Sequence, residues 1–541
     1  MGVRAPGMRV RGNEAAREAR KRRTFAIISH PDAGKTTLTE KLLLYGGAVH
    51  LAGSVKARRA LRHATSDWME MERARGISVT SSVLRFEYGG LHINLLDTPG
   101  HQDFSEDTYR TLMAADSAVM LLDNRRGIEQ QTRKLFRVCH LRRIPIFTFV
   151  NKCDRLGVGP LELLDGIEAD LGIRCSPVTW PVTDGSGFLG VYDRDEESLH
   201  LYEKGTDHGQ TRPAEHVTAL GDGRVGALLG ERARAVLEEE IELLDEAGSA
   251  FDRRAFLAGE LSPVFFGSAL TNFGVRPFLD WFVAHAPAPG AREAGGRPVE
   301  PGSGGLSAFV FKIQANMDPR HRDRIAFLRI CSGHYRAGAS VRNTRTGRAF
   351  RLGPPQQFFA REREAVETAW PGDVVGVLDR GSLRIGDTIT SIPDVEFAAI
   401  PSFAPEHFAR VRVADPLRRK HLDRGLDHLS EEGAVQLFFS GEGGTGPGPV
   451  VGAVGLLQFD VLVQRLASEY RVEATLETLP FRDARWVSGP EAEIHRVAGG
   501  DDCALVRDRR GRRLFLFRNG WVRERTAERA KQLNFRRVQG K

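Results

Sequence analysis

Cysteine is scarce in this chain. There are five in 541 residues, Cys139, Cys153, Cys175, Cys331 and Cys503, and none forms a Cys-x-x-Cys pair. That excludes a disulfide framework and a structural zinc of the usual spacing, and it suits a reduced, cytoplasmic protein. Long apolar runs are missing as well. Nothing approaches the roughly 18–20 residues that a membrane-spanning helix needs. The N-terminus is basic but has no apolar core followed by a cleavage site, so no secretory signal is expected. Neither sign of charge dominates: 77 basic residues face 70 acidic ones, a formal charge of +7. The mild total hides an uneven distribution. Residues 1–23 hold eight basic and two acidic groups, and residues 507–541 hold thirteen and three, including Arg509, Arg510, Arg512, Arg513, Arg536 and Arg537. The middle of the chain is therefore net acidic. Basic ends suit a polyanion such as RNA. Residues 1–23 are expected as a tail, whereas Phe515, Phe517 and Trp521 among the C-terminal arginines predict a folded segment.

What is present is a set of short motifs, each at the end of an apolar run. Thr24 to Ile28 reads as a strand, Leu38 to Leu44 as a helix, and the loop between them is Ser29-His30-Pro31-Asp32-Ala33-Gly34-Lys35-Thr36-Thr37. Backbone N–H groups in such a loop, backed by a helix N-terminus, cradle phosphate oxygens. Lys35 would reach the outer phosphates and the Thr36 hydroxyl would hold Mg²⁺. Asp32 is read as ordering the loop or a cation. The usual first glycine is Ser29 here, so this motif needs the others. Asp97-Thr98-Pro99-Gly100-His101 closes the run from Leu91 to Leu96. An acid at that place can hold Mg²⁺ through water, and the Gly100 N–H can bond a terminal phosphate. Asn151-Lys152-Cys153-Asp154 closes the run from Ile144 to Val150. An acid there accepts two hydrogen bonds from the ring N–H and amine of guanine, a donor pair that adenine lacks. Ser268-Ala269-Leu270, after Pro263 to Phe266, would offer backbone N–H to the guanine oxygen. Each motif alone is often only a turn. All of them in order, at the carboxyl ends of strands where open parallel sheets bind ligands, point to a GTP/GDP site.

The organisation follows from the patterning. Residues 24–285 alternate strands and amphipathic helices, which predicts an α/β P-loop GTPase domain with an insertion at about 175–260. A Pro/Gly-rich stretch at 286–305 reads as a flexible linker. Residues 306–400 show short alternating runs and turn signals, predicting an all-β barrel. Residues 401–541 are expected to form an α+β ferredoxin-like domain in the order β-α-β-β-α-β, with a C-terminal segment after 481. No internal repeat is visible.

Residues 22–44, Ser66-Asp67-Trp68-Met69-Glu70-Met71-Glu72, Arg75-Gly76-Ile77-Ser78, residues 97–112 and Ala484-Arg485-Trp486-Val487 together resemble the translational GTPases. More narrowly, they resemble the bacterial peptide chain release factor three family. The resemblance covers nearly the whole chain and thins after about 490. Elongation factor G is similar but longer, and the early end of this chain weighs against a translocase. The resemblance implies a ribosome-stimulated GTPase that promotes departure of class-one release factors from the 70S ribosome after peptide release. It implies no membrane or DNA partner. It makes His101 the residue that orients the attacking water once the ribosome engages it. It also places Ser78 where elongation factors carry a threonine ligand to Mg²⁺, so the metal set is Thr36, Ser78 and, through water, Asp97. Pro31 stands where elongation factors place a β-branched residue. The loop from Val49 to Val79 is expected to order with GTP and loosen with GDP. Two other readings stay open: another ribosomal GTPase, translocase-like or a rescue or stress factor, and a ribosome-binding protein that no longer hydrolyses GTP. Lys35, Thr36, Asp97, His101, Asn151 and Asp154 are all intact, which weighs against the last.

Overall fold

The computed structural model describes residues 6–47, 81–184, 187–203, 215–222, 225–315, 324–359, 362–440, 448–498 and 503–539. Ser78 and the loop from Val49 to Val79 lie outside the described residues.

Apolar residues fill both faces of the strands of the first domain. Phe25 and Ile27 pack into one layer and Ala26 and Ile28 into the other, all at most 1% exposed. A strand buried on both faces must be covered by helices on both sides, which is the setting of a parallel sheet. The sheet has seven strands in the order Ser82–Tyr88, Leu91–Asp97, Arg22–Ser29, Ser117–Asp123, Ile146–Asn151, Leu261–Phe266 and Arg174–Pro177. Ser82–Tyr88 runs antiparallel to its neighbour and the others are parallel. The loops after Ser29, Asp97, Asp123, Asn151 and Phe266 therefore gather at one edge. The insertion differs from expectation at its start. Arg174–Pro177 belongs to the main sheet, paired with Leu261–Phe266. Beyond it stand a four-stranded antiparallel meander, from Thr179–Thr183 to Glu215–Ala219, and the helix Glu231–Ala247.

Two segments expected to be loose are folded. Within the basic tail, Pro6–Arg20 is a helix whose Ala15 and Ala19 are buried, and Arg22 opens the first strand. The supposed linker contains a hairpin, Arg292–Ala294 with Arg297–Val299. Arg292 in that hairpin donates to the Met113 carbonyl at 2.7 Å and lies 3.3 Å from Asp116, so proline and glycine here mark turns rather than a flexible tether.

The barrel domain follows as an eight-stranded antiparallel sheet running from Ser307–Ala315 to Thr388–Thr390, with Val310, Leu328, Val375 and Ile389 in its core. The C-terminal domain holds the expected β-α-β-β-α-β unit: His407–Val413, helix Arg419–Glu432, Gln436–Ser440, Pro449–Ala453, helix Leu457–Tyr470 and Ala474–Thr478. Asp415 caps a short 3₁₀ turn at Pro416–Arg418, its carboxylate accepting the Leu417 N–H at 2.9 Å, and the α-helix begins at Arg419. The segment after 481 is not an appendage. Asp483–Ser488, helix Glu491–Ala498, Cys503–Asp508, Arg513–Phe517, helix Gly520–Arg529 and Asn534–Arg536 repeat the same order. Both units place their fourth strand beside the first, then the third, then the second. Their second strands pair antiparallel, Phe438 opposite Asp508, to make one eight-stranded sheet. The repeat is one of topology, carried by alternation and turns rather than by matching residues, so the sequence did not display it.

Among the described residues, no helix is long and apolar enough to cross a membrane. All five cysteines are free.

Candidate functional site

A cavity of about 310 Å³ opens at the carboxyl edge of the main sheet, lined by Ser29 to Asp32, Gly34 to Thr37, Gly100, His101 and Lys152. Its floor is set by local backbone chemistry. Asp32 and Gly34 have φ of 66° and 97°, left-handed values that turn the loop sharply. The helix Lys35–Tyr45 starts immediately after Gly34, so its positive end faces the cavity. A side chain at Gly34 would collide with the Asn151 amide, which is a second reason for glycine.

Two motifs far apart in sequence lock this loop. The Asn151 side chain donates to the Ala33 carbonyl at 2.8 Å and accepts the Ala269 N–H at 2.8 Å. Lys152, at φ 67°, donates to the Asp32 carbonyl at 2.5 Å and to Asp123 at 2.8 Å. Burial alone would raise the Asp123 pKa. Hydrogen bonds from Lys152 and the Arg125 N–H outweigh it and hold the carboxylate below its ordinary value. Lys35 Nζ stands 2.5 Å from Asp97, both nearly buried. Cys153 bonds to the Val150 carbonyl, and burial pushes its thiol up to about 12, so it is no nucleophile.

Ten of the expected residues are absent from this lining: Ala33, Asp97, Thr98, Pro99, Asn151, Cys153, Asp154, Ser268, Ala269 and Leu270. Of these, Thr98, Pro99 and Ala33 serve the scaffold. Thr98 is 1% exposed and donates to the Ile27 carbonyl at 2.5 Å, tying the loop to the first strand. The Pro99 carbonyl accepts from Thr108 at 3.2 Å. Ala33 is fully buried. In the loop after Phe266, the Ser268 and Ala269 N–H groups are not offered to a ligand as expected: they bond to Phe273 and Asn151. Leu270, which is 46% exposed, carries the next N–H along this loop.

Several buried polar atoms here have no protein partner, among them Ser29 Oγ and Asp154 Oδ1. Buried polar atoms are seldom left unpaired. A donor-rich ligand at Asp154 and a polyanion over Ser29 to Thr37 fit these atoms. The donor set of Thr36 and Asp97 is an all-oxygen one, suited to Mg²⁺.

His101 is one-third exposed, and its Nδ1 lies 3.3 Å from the Asp103 N–H and 3.4 Å from the Asp103 carboxylate. The other Asp103 oxygen accepts the Leu457 N–H of the C-terminal domain at 2.8 Å. The loop that follows Asp97 is thus seated on the distant domain.

Sequence reasoning missed Asp123 and Asp103. Asp123 had a signal, an acid ending the strand Ser117–Asp123. Asp103 had none, because its partner is 354 residues away. The structure also shows His30 buried with neither ring nitrogen bonded, and burial lowers its pKa.

Comparison with known proteins gives three family matches in chain order. Residues 20–288 match the elongation factor Tu GTP binding domain. Residues 305–392 match elongation factor G domain 2, and residues 397–527 match the class II release factor RF3 C-terminal domain. A peptide chain release factor 3 of Symbiobacterium thermophilum is 56% identical over 521 residues, covering 96% of this chain and 98% of that protein. Those of Trichodesmium erythraeum and Gloeobacter violaceus are each 52% identical, covering 93% and 97% of this chain and 92% and 98% of theirs. A crystal structure of a Thermus thermophilus protein shares the fold, with TM-score 0.67 at 24% identity, covering 90% of this chain and 71% of that one. With full-length relatives more than half identical and a GTPase domain followed by both expected companions, the chain belongs to the peptide chain release factor 3 family of translation-termination GTPases.

Proposed function

We propose that this protein hydrolyses GTP on the 70S ribosome in the cytoplasm and uses that reaction to drive class-one release factors off after peptide release. The observation that carries the reading is the path from the cavity to the far domain. Gly100 and His101 line the cavity, and Asp103, two residues on, is bonded to Leu457. Asp103 is thus a single-residue link by which a change at the terminal phosphate would reach the C-terminal domain.

The residues divide the work. Backbone amides of Asp32, Gly34, Lys35 and Thr36, at the helix N-terminus, hold the phosphates. Lys35 neutralises charge developing between the outer phosphates. Thr36 and Ser78, with Asp97 behind a water, would hold Mg²⁺, which when bound supplies further charge neutralisation. Gly100 donates its N–H to the terminal phosphate, and His101 orients the attacking water. Asp154 accepts the two guanine donors and the Leu270 N–H faces the guanine oxygen. Asn151 and Lys152 brace the loop. Charge stabilisation and positioning account for most of such a reaction, with little covalent chemistry asked of the protein.

The deciding experiment measures GTP turnover by the purified protein with and without 70S ribosomes, and then dissociation of a labelled class-one release factor from terminated ribosomes. Ribosome-stimulated turnover with GTP-dependent dissociation is expected. Stimulation without dissociation would assign the protein to another ribosomal step, and no stimulation would remove the hydrolytic role.

A further inference from the structure

The arginine run at 509–513 plays no part in the nucleotide site. It forms the turn of the hairpin between Cys503–Asp508 and Arg513–Phe517. The Asp508 carboxylate fixes that turn by accepting the N–H groups of Arg510 and Arg512 at 2.9 and 2.8 Å. The turn faces a second cavity, of about 270 Å³, where all three domains meet. The GTPase domain contributes Glu106 and Arg110, the barrel contributes Arg384, and the C-terminal domain contributes Trp486, Arg509, Arg510 and Arg512.

The charges do not cancel. Glu106 is paired with Arg110 at 2.6 Å, Asp508 with Arg512 at 2.7 Å, and Glu431 with Arg509 at 3.1 Å and with Arg324. Those pairs use up every acid lining the cavity. Arg384 and Arg510 remain at its rim with no carboxylate partner among the described residues. The side chain of Arg510 is accessible, yet its charged end is partly enclosed. That enclosure, then the like charges of Arg512, Arg384 and Arg345, lowers its pKa. Deeper in, Arg110 is 8% exposed and its Nη1 has no hydrogen-bond partner. Arg512 is steadied over the Trp486 ring at 4.8 Å. A buried guanidinium nitrogen without an acceptor is costly, and planar guanidinium forks match phosphate oxygens.

We infer that this three-domain cavity is a binding site for a small anion carrying one or two phosphate groups, held by Arg110 inside and by Arg384 and Arg510 at the rim. Its volume of about 270 Å³ falls just below the roughly 300 Å³ at which ligand pockets begin, room for a small anion. Because the arginines come from three domains, the anion stabilises this arrangement over any in which the domains separate. The site is distinct from the nucleotide cavity and needs none of its residues.

The test uses the full-length protein saturated with GDP, so that the phosphate loop is already filled. Pyrophosphate and, in a separate arm, orthophosphate are titrated by calorimetry, and the melting temperature is followed in parallel. One equivalent of pyrophosphate is expected to bind and raise the melting temperature. The double variant Arg384→Ala/Arg510→Ala removes two exposed, unpartnered side chains and should fold normally. It should bind at least tenfold more weakly, about 1.4 kcal/mol, and lose the thermal gain. Lys35→Ala, which weakens the phosphate loop, should keep the equivalent. Tighter orthophosphate than pyrophosphate binding at the same stoichiometry would assign a one-phosphate ligand. No binding under GDP saturation, equal binding by the double variant, or binding of a single-stranded RNA oligonucleotide but not of pyrophosphate would overturn the proposal.

Discussion

The base-reading role proposed for Asp154 requires that nothing else in the protein take its lone pairs. Its Oδ1 is buried without a partner, and the nearest cation, Arg155, stands at 3.8 Å from the other oxygen. Asp154→Asn is expected to weaken GDP binding by roughly 1–3 kcal/mol, the cost of mismatched buried hydrogen bonds, and to shift preference toward xanthosine nucleotides. Competition of GDP and XDP for the variant measures this, and unchanged preference would reject the role. His101 is the opposite kind of residue, one-third exposed and held mainly by Asp103. His101→Ala should lower ribosome-stimulated hydrolysis by roughly 10²-fold or more, in the range of lost positioning and proton-transfer groups, while GDP and GTP affinities stay nearly constant. An equal loss of nucleotide affinity would make it a binding residue. The residues lining the cavity, Ser29 to Asp32, Gly34 to Thr37, Gly100, His101 and Lys152, were legible in the sequence because their motifs are contiguous and each ends a strand. Thr98, Pro99 and Ala33 belong to the same motifs yet hold the loop from behind. Contiguity cannot distinguish the two faces of a loop.

At the scale of elements, the second β-α-β-β-α-β unit is the main departure from the sequence reading. Phe515 and Phe517 are fully buried in its core, whereas Trp521, which argued equally for folding, is 64% exposed. Phe515→Ala should cost about 3–5 kcal/mol by leaving a cavity, and Trp521→Ala no more than about 0.5 kcal/mol. Chemical denaturation of the two variants separates them. Equal effects would mean that the unit contributes little to the stability of the domain. The hairpin at Arg292–Val299 was hidden by composition, since proline and glycine mark both linkers and tight turns. What decides between them is whether flanking residues such as Ala294 and Val299 find a core, and both are buried.

Across the whole molecule, charge pairs at the domain boundaries set the arrangement. Arg329 is 1% exposed and meets Asp116 of the GTPase domain at 2.5 Å. Burial depresses its pKa, with Asp116 opposing the shift. Arg22 reaches across to Asp373 at 3.0 Å and Thr24 to the Gly372 carbonyl at 2.7 Å. The barrel in turn holds the C-terminal domain through Glu432, which accepts the Ala315 N–H at 2.9 Å and is itself paired with Arg465 at 2.7 Å. Removing one member of a buried pair strands the other charge. Asp116→Asn should therefore destabilise the protein by about 3–5 kcal/mol, read as a lowered urea midpoint. A loss below about 1 kcal/mol would show that water reaches Arg329 and that the boundary is looser than described. None of these pairs could be foreseen from spacing, because Arg22 and Asp373 are 351 residues apart.

The sequence by itself determined the chemistry and the order of the parts. Phosphate loop, Asp97 to His101, Asn151 to Asp154 and Ser268 to Leu270 are local patterns, and alternation announced a GTPase domain, a barrel and an α+β domain in turn. Tertiary structure alone decided which residues of each loop face the cavity, that Asp123 and Asp103 brace it, that residues 6–20 form a helix, and that two units share one sheet. The physical reason is range. Backbone propensity and motif chemistry act over a few residues and are written along the chain. Burial, charge pairing and strand-to-strand hydrogen bonding act between residues that only folding brings together.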